Sequence, residues 1–294
     1  MLTRRRAQVL GPGPRRVLAD VLDRPRYEVL PLPGIEDEVA AHAPHATVTI
    51  TASARRGMNA TLEVAAGLVT RGVTVVPHLS ARMVSDEAHL KEILDELVGL
   101  GITEVFVVGG DREPPAGEFT GSLDLLVAMD RLGYDLVVGI AGYPETHPKI
   151  SDDVVVQAMW DKRHYASYVV SQMCFDPAVI ARWVERLRRR GVALPVHVGI
   201  PGPASTRQLL RVSRRIGVGE SARVLVHHGA GALRLVRPGV WTPDALLKAL
   251  APRFAQPQLQ LRGLHIYTFN DVAAVEQWRS TASARARPSA GVRA

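Results

Sequence analysis

Asp135-Leu136-Val137-Val138-Gly139-Ile140-Ala141-Gly142-Tyr143-Pro144-Glu145-Thr146-His147-Pro148 passes from apolar to polar within a few residues. Its first half reads as a strand buried on both faces, the pattern of a parallel sheet. Its second half brings two prolines, a tyrosine, a glutamate and a histidine to the strand's end. Proline fixes φ and removes an amide donor, so the strand cannot continue and the loop is stiff. Alone, such a segment also fits an ordinary turn. The same apolar-to-polar step, however, follows most other strands of the chain.

Short β-branched runs lie at 27–30, 47–50, 73–76, 104–108, 167–170, 196–200 and 263–267, besides the quoted one. Helical periodicity falls between them, at about 60–71, 85–100, 122–132, 152–164, 176–190, 206–216 and, behind Thr242 as a predicted N-cap, 243–251. The 85–100 segment is the clearest, with Leu90, Ile93, Leu94, Leu97 and Leu100 on one face and Gly101 after it. Eight strands alternating with helices predict a (β/α)8 TIM barrel, a single domain over 25–279. A doubly wound open sheet is the competing architecture. The missing G-x-G-x-x-G after the first strand counts against it. Residues 1–24 read as a basic segment with a short helix at 16–22. The last helix is expected over 272–279, and 280–294, rich in Ala, Arg, Ser, Pro and Gly, reads as a disordered tail.

The 294 residues, 47% of them hydrophobic, suffice for one large barrel core. The single cysteine, Cys174, excludes a disulfide framework and fits a reducing cytoplasm. Lacking a base beside it, Cys174 reads as a small apolar packer, not a nucleophile. No apolar run reaches the roughly 18 residues of a membrane span, and the basic start is not followed by the apolar region of a signal peptide. The net charge is +7, with arginine clusters at Arg4 to Arg6, Arg186 to Arg190 and Arg214-Arg215. The clusters lack interleaved aromatics, which argues against nucleic acid. They suit anionic small molecules such as dinucleotides or polyglutamylated cofactors.

In a barrel of this kind, chemistry sits where strands end at the C-terminal face. Those ends carry Glu28, Thr51, His78, Asp111, Tyr143 with His147, and Gln172. Two carboxylates in different surroundings, Glu28 inside an apolar strand and Asp111 after Gly109-Gly110, can divide the roles of acid and standing anion. Their bland readings are an ion pair for Glu28 and a turn or cap for Asp111. Gln172 also fits a plain core hydrogen-bonder. His78 and His147 lack the partners of a metal site.

These segments together resemble the methylenetetrahydrofolate reductase family from about Tyr27 to Asn270. Tyr27-Glu28 before Pro31 resembles the family's Glu-Phe-Phe-Pro-Pro, Val48-Thr49-Ile50-Thr51 its second strand, and Pro77-His78-Leu79-Ser80 its Pro-His-Leu-Thr. Gly109-Gly110-Asp111 is similar to Arg-Gly-Asp, and Gly142-Tyr143-Pro144-Glu145 with His147-Pro148 to its most specific loop. Ser171-Gln172 with Phe175-Asp176, Gly199-Ile200 followed by Gln208, and His265-Ile266-Tyr267-Thr268 with Asn270 complete the series.

The resemblance implies reduction of 5,10-methylenetetrahydrofolate to 5-methyltetrahydrofolate. It implies Glu28 as general acid opening the imidazolidine ring and Asp111 as the ionised group stabilising the iminium. Gln172, Gln208 and Tyr267 would bind the substrate. Thr51, His78, Gly110, Ala141, Tyr143, His147 and Lys162 would bind the cofactor, with no metal. Most of the family relays hydride from nicotinamide through FAD. Here the arginine of Arg-Gly-Asp is Gly109, and helix positions that hold FAD phosphates read Val156 and Met159. Tyr165-Ala166-Ser167 replaces a small Ala-Gly-Ala that lies against the flavin. The departures favour NADH or NADPH passing hydride directly to folate, with FAD doubtful. Asp271 and Val212 also replace a usual arginine and phenylalanine near the substrate. A folate- or nucleotide-binding barrel without catalysis and a methyl-transfer barrel are the rival readings.

Overall fold

The computed structural model describes residues 12–145, 147, 150–216 and 240–287. Expectations touching Arg4 to Arg6, residues 217–239 and the end of the tail fall outside them. Eight parallel strands close into a barrel: β1 (Arg26–Val29), β2 (Thr47–Ile50), β3 (Thr74–Ser80), β4 (Glu104–Val108), β5 (Val137–Gly142), β6 (Tyr168–Ser171), β7 (Val196–Pro201) and β10 (Leu261–Tyr267), which pairs with β1. The fold is the (β/α)8 barrel expected from the alternating pattern, in one domain. Outside it, β8 (Ala204–Ser205) and β9 (Val240–Trp241) form a small antiparallel pair that the sequence did not announce.

Helices α3 (Asn59–Val69), α4 (Glu87–Gly99), α5 (Ser122–Leu132), α6 (Asp152–Lys162), α7 (Pro177–Arg189) and α8 (Thr206–Ile216) follow β2 to β7, with β8 preceding α8. The stripe Leu90, Ile93, Leu94, Leu97 of α4 is buried as its spacing requires, and the Asp86 carboxylate caps the helix on the His89 amide. One helix was missed: α2 (Ile35–His42) buries only Ile35 and Val39, too short a stripe to read as periodic. It starts from Gly34, whose φ of 83° only glycine adopts freely. The helix expected behind Thr242 is α9 (Asp244–Phe254), with Pro243 at its cap position. Thr242 does not cap it; its hydroxyl donates to the Asp244 carboxylate instead.

The tail is corrected in the same way. The last helix, α10 (Val272–Ala286), does not stop at Arg279. Alanine and arginine are good helix formers, and tertiary bonds hold the extension. Ser283 Oγ donates to Asp23 Oδ1 at 2.7 Å and Arg287 Nη2 to Asp23 Oδ2 at 2.9 Å. Ala286 is buried, and α10 packs on α1 (Pro12–Leu22).

Register sets what the barrel interior holds. His78 pairs with Phe106, Ala141 with Val170, and Gly199 with His265. Side chains alternate along a strand, so these positions share the inner face. One layer lower, Arg26 meets Glu104 and Tyr168. Gly139 makes room there: a Cβ on it would lie 2.4 Å from the Tyr168 ring.

Candidate active site

Glu28 stands at the centre of the inner layer. His265 Nε2 is 2.9 Å from Glu28 Oε2, and His78 Nε2 is 3.9 Å from the same oxygen. Both imidazoles are buried. Their rings bracket Phe106, with centroids 4.7 Å (His78) and 6.5 Å (His265) from it. Tyr267, two residues beyond His265 on β10, lies edge-on to the His265 ring at 5.1 Å, and its hydroxyl donates to the Ser171 carbonyl at 3.3 Å. Burial, then the charge on Glu28, holds the Tyr267 phenol well above its ordinary pKa, so it remains a proton donor in hydrogen bonds.

His78 is neutral at any ordinary pH. Desolvation lowers its pKa to about 4, against a smaller pull upward from Glu28. His197, on β7 beside the Tyr168 ring, falls to about 3 through burial and then the Arg26 charge. Both folded values lie below the ordinary 6.5. The unfolded chain therefore takes up protons that the folded chain refuses. Stability is highest above pH 6.5 and falls as pH drops towards 4 for His78 and 3 for His197. The expected slope below pH 6 is about 1.4 kcal/mol per pH unit for each group. Urea midpoints at successive pH values measure it, and His197→Phe should remove one group's share. A slope unchanged in that variant would contradict the assignment.

The mouth above this layer gathers the remaining strand ends. Tyr143 packs edge-on against His147, centroids 4.8 Å apart. Its phenol is raised in pKa by burial and then by Asp111, which places that carboxylate close by. Asp111 is exposed and makes no side-chain hydrogen bond with any described residue. Gly110 brings the chain past Ser80: its φ is 88°, and a Cβ there would lie 1.9 Å from Ser80 Oγ. Thr51 Oγ1 and His78 Nε2 are buried with no hydrogen-bond partner among the described residues. Ala141 packs against the inner cluster of Val76, Phe106, Tyr168 and Val170. Gln172 turns its amide oxygen onto the Met173 N–H at 2.8 Å, leaving its amide NH2 for another acceptor. Gln208 lies half-buried in the first turn of α8, its backbone amide bonded to Ser205 Oγ.

Lys162 stands apart from this group. Its ammonium donates to Ser122 Oγ at 3.3 Å, between α6 and α5, and burial lowers its pKa. Tyr165 packs against the main apolar core. Three inward residues were given no site role from the sequence: His265 and Ser80, quoted only as motif residues, and Phe106. The period of two was the available signal, since His265 precedes Tyr267 and Phe106 follows Glu104 by one alternation. Among the described residues no group of three histidine, cysteine or acidic side chains is placed to hold a metal, and no helix is long and apolar enough to cross a membrane.

In known structures the barrel is similar to dihydropteroate synthase from Thermus thermophilus, with 19% identity, TM-score 0.44, and coverage of 90% of this chain and 94% of that one. It is also similar to a putative lyase/mutase from Burkholderia cenocepacia J2315, with 14% identity, TM-score 0.46, and coverage of 94% and 87%. Methylenetetrahydrofolate reductase 2 of Saccharomyces cerevisiae is 28% identical over 92 residues, which are 30% of this chain and 15% of the yeast protein. The sequence model of one family, described as methylenetetrahydrofolate reductase, matches residues 35–219, more than half of the 294. That match runs from α2 through the mouth loops after β2 to β7, so the chain belongs to the methylenetetrahydrofolate reductase family.

Proposed function

We propose that this protein reduces 5,10-methylenetetrahydrofolate to 5-methyltetrahydrofolate with NADH or NADPH, the hydride passing to folate without a bound flavin. The observation that carries the reading is the Glu28 carboxyl, in hydrogen-bond contact with buried His265, close enough to Tyr267 to raise its pKa, and still partly exposed. Glu28 delivers a proton to the departing ring nitrogen, opening the five-membered ring to the N5-iminium. Asp111, exposed and unbonded among the described residues, faces that cation as an anion across the mouth. The free NH2 of Gln172 and the side chain of Gln208 hold the pterin edge, and Tyr267 forms its floor.

Thr51 Oγ1 and His78 Nε2 fit a planar ring with amide donors and acceptors on its edge, as a nicotinamide carboxamide has. Ala141, Tyr143 and His147 complete that wall, and Gly110 lets backbone approach it. The nicotinamide supplies the hydride when bound. A flavin fits less well. On α6 the positions expected to meet its phosphates are Val156 and buried Met159, and the Lys162 ammonium is engaged with Ser122. The FAD-dependent version keeps one support, the set Thr51, His78, Ala141, Tyr143 and His147.

The purified protein should be colourless and should oxidise NADH or NADPH only when methylenetetrahydrofolate is added, at a rate unchanged by added FAD. A yellow protein with flavin absorption bands would overturn the direct transfer. A colourless protein that binds folate but never oxidises the nicotinamide would support the non-catalytic reading.

A further inference from the structure

A cleft of about 960 Å³ runs from the mouth loop down between α6 and α7. That is near the upper end of the roughly 300–1,000 Å³ range of small-molecule sites. Its mouth end is bordered by Tyr143, Pro144 and Glu145, so it opens beside the ring wall described above. Val155, Val156 and Met159 of α6 form one side, with Trp160 below them. Val179, Trp183 and Leu187 of α7 form the other. Of the eleven residues of α6 only Met159 is buried, joining the main core, so much of the helix is left uncovered along the cleft. Trp160 is 39% exposed, one face of its indole covered by the Arg163 guanidinium at 3.4 Å from the ring centroid.

The charge in this cleft is ordered. Asp152, Asp153 and Asp176 lie at the helix starts, near the mouth. Arg182 and Arg186 of α7 and Arg190 at its C-cap lie deeper, at i, i+4 and i+8, spanning about 12 Å at 1.5 Å per residue. None of the three has a side-chain hydrogen bond or ion pair with a described residue. Like charges at this spacing repel along the helix; the helix dipole favours Arg186 and Arg190 at its C-terminal end but gives no such support to Arg182, in mid-helix. Guanidinium forks are suited to phosphate oxygens. Indole faces suit a planar base, and carboxylates accept from ribose hydroxyls.

We infer that this cleft binds the adenosine-diphosphate end of a nicotinamide dinucleotide, with Arg182 and Arg186 on the diphosphate and Trp160 against the adenine. The assignment rests on the nicotinamide reading given above and adds to it where the far end of the dinucleotide lies. It moves the anion-binding groups from α6, whose facing positions here are apolar, to α7.

ADP tests this without folate or hydride transfer. Trp160 and Trp183 are two of the four tryptophans, so ADP should quench intrinsic fluorescence saturably. In the variant carrying both R182E and R186E, whose sites are exposed, the ADP dissociation constant should rise at least tenfold while circular dichroism is unchanged. Calorimetric titration supplies the same constant independently of the tryptophans. Equal affinity in wild type and variant would overturn the inference, as would NADH or NADPH binding without any ADP binding. Arginine-dependent ADP binding in a protein that fails to reduce methylenetetrahydrofolate would support the cleft and count only against the reductase reading.

Discussion

Glu28→Gln should lose about 100- to 10,000-fold in kcat for methylenetetrahydrofolate reduction, the usual worth of a positioned proton donor. The amide has almost the volume of the acid and can still bond to His265 Nε2, now 2.9 Å from the carboxyl oxygen. The barrel, the His78–Phe106–His265 packing and the wall formed by Thr51 and Tyr143 are therefore left in place. What disappears is a transferable proton at one atom. The thermal midpoint should move little, and NADH should still bind with the wild-type constant. If the variant keeps kcat within about threefold of wild type while folded, the proton comes from elsewhere, and Glu28 is only a hydrogen-bonding partner of His265. Asp111→Asn separates the second carboxylate in the same assay. It should lower kcat through lost charge at the mouth, since Asp111 holds no described hydrogen bond to break.

The barrel was legible because its evidence is repetitive. Apolar runs such as Val137 to Ile140 recur at helix-length intervals, and each break into polar residues marks a strand end. The mouth residues followed from those ends. His265 and Phe106 did not, because both sit inside strands where a histidine or phenylalanine reads as packing. Only the register, with Gly199 opposite His265 and His78 opposite Phe106, turns them toward Glu28. The α7 arginines were visible as a cluster suited to anionic small molecules, but not as part of a particular site. Their relation to Trp160 depends on α6 and α7 lining one cleft, which no local pattern reports. Likewise α10 outran its expected end because contacts with Asp23, more than 250 residues earlier, hold it. Composition at 280–286 carries no trace of them.

Arg26→Met should cost about 3–5 kcal/mol of stability, the range for stripping one partner from a buried ion pair. Arg26 Nη2 donates to Glu104 Oε2 at 3.2 Å, Nη1 to Tyr168 Oη at 3.2 Å, and the guanidinium lies 4.8 Å from the Tyr168 ring centroid. The two charged side chains are 16% and 17% exposed, so water screens them poorly. Without Arg26 the Glu104 carboxylate keeps its desolvation cost and loses its counter-charge. Taking both away tests whether the cost is really that orphaned anion. Arg26→Met combined with Glu104→Met restores an apolar layer below the site, and its loss should be far smaller than that of Arg26→Met alone. Urea unfolding of the single and double variants gives the coupling directly. A single variant that loses less than about 1 kcal/mol would place the pair among solvent-screened bridges. Activity divides the interior further. Arg26 and Glu28 are two residues apart on β1, yet the first meets Glu104 and Tyr168 while the second meets His265. If the lower layer is scaffold alone, the double variant keeps kcat near wild type, and proton delivery belongs to the Glu28 layer by itself.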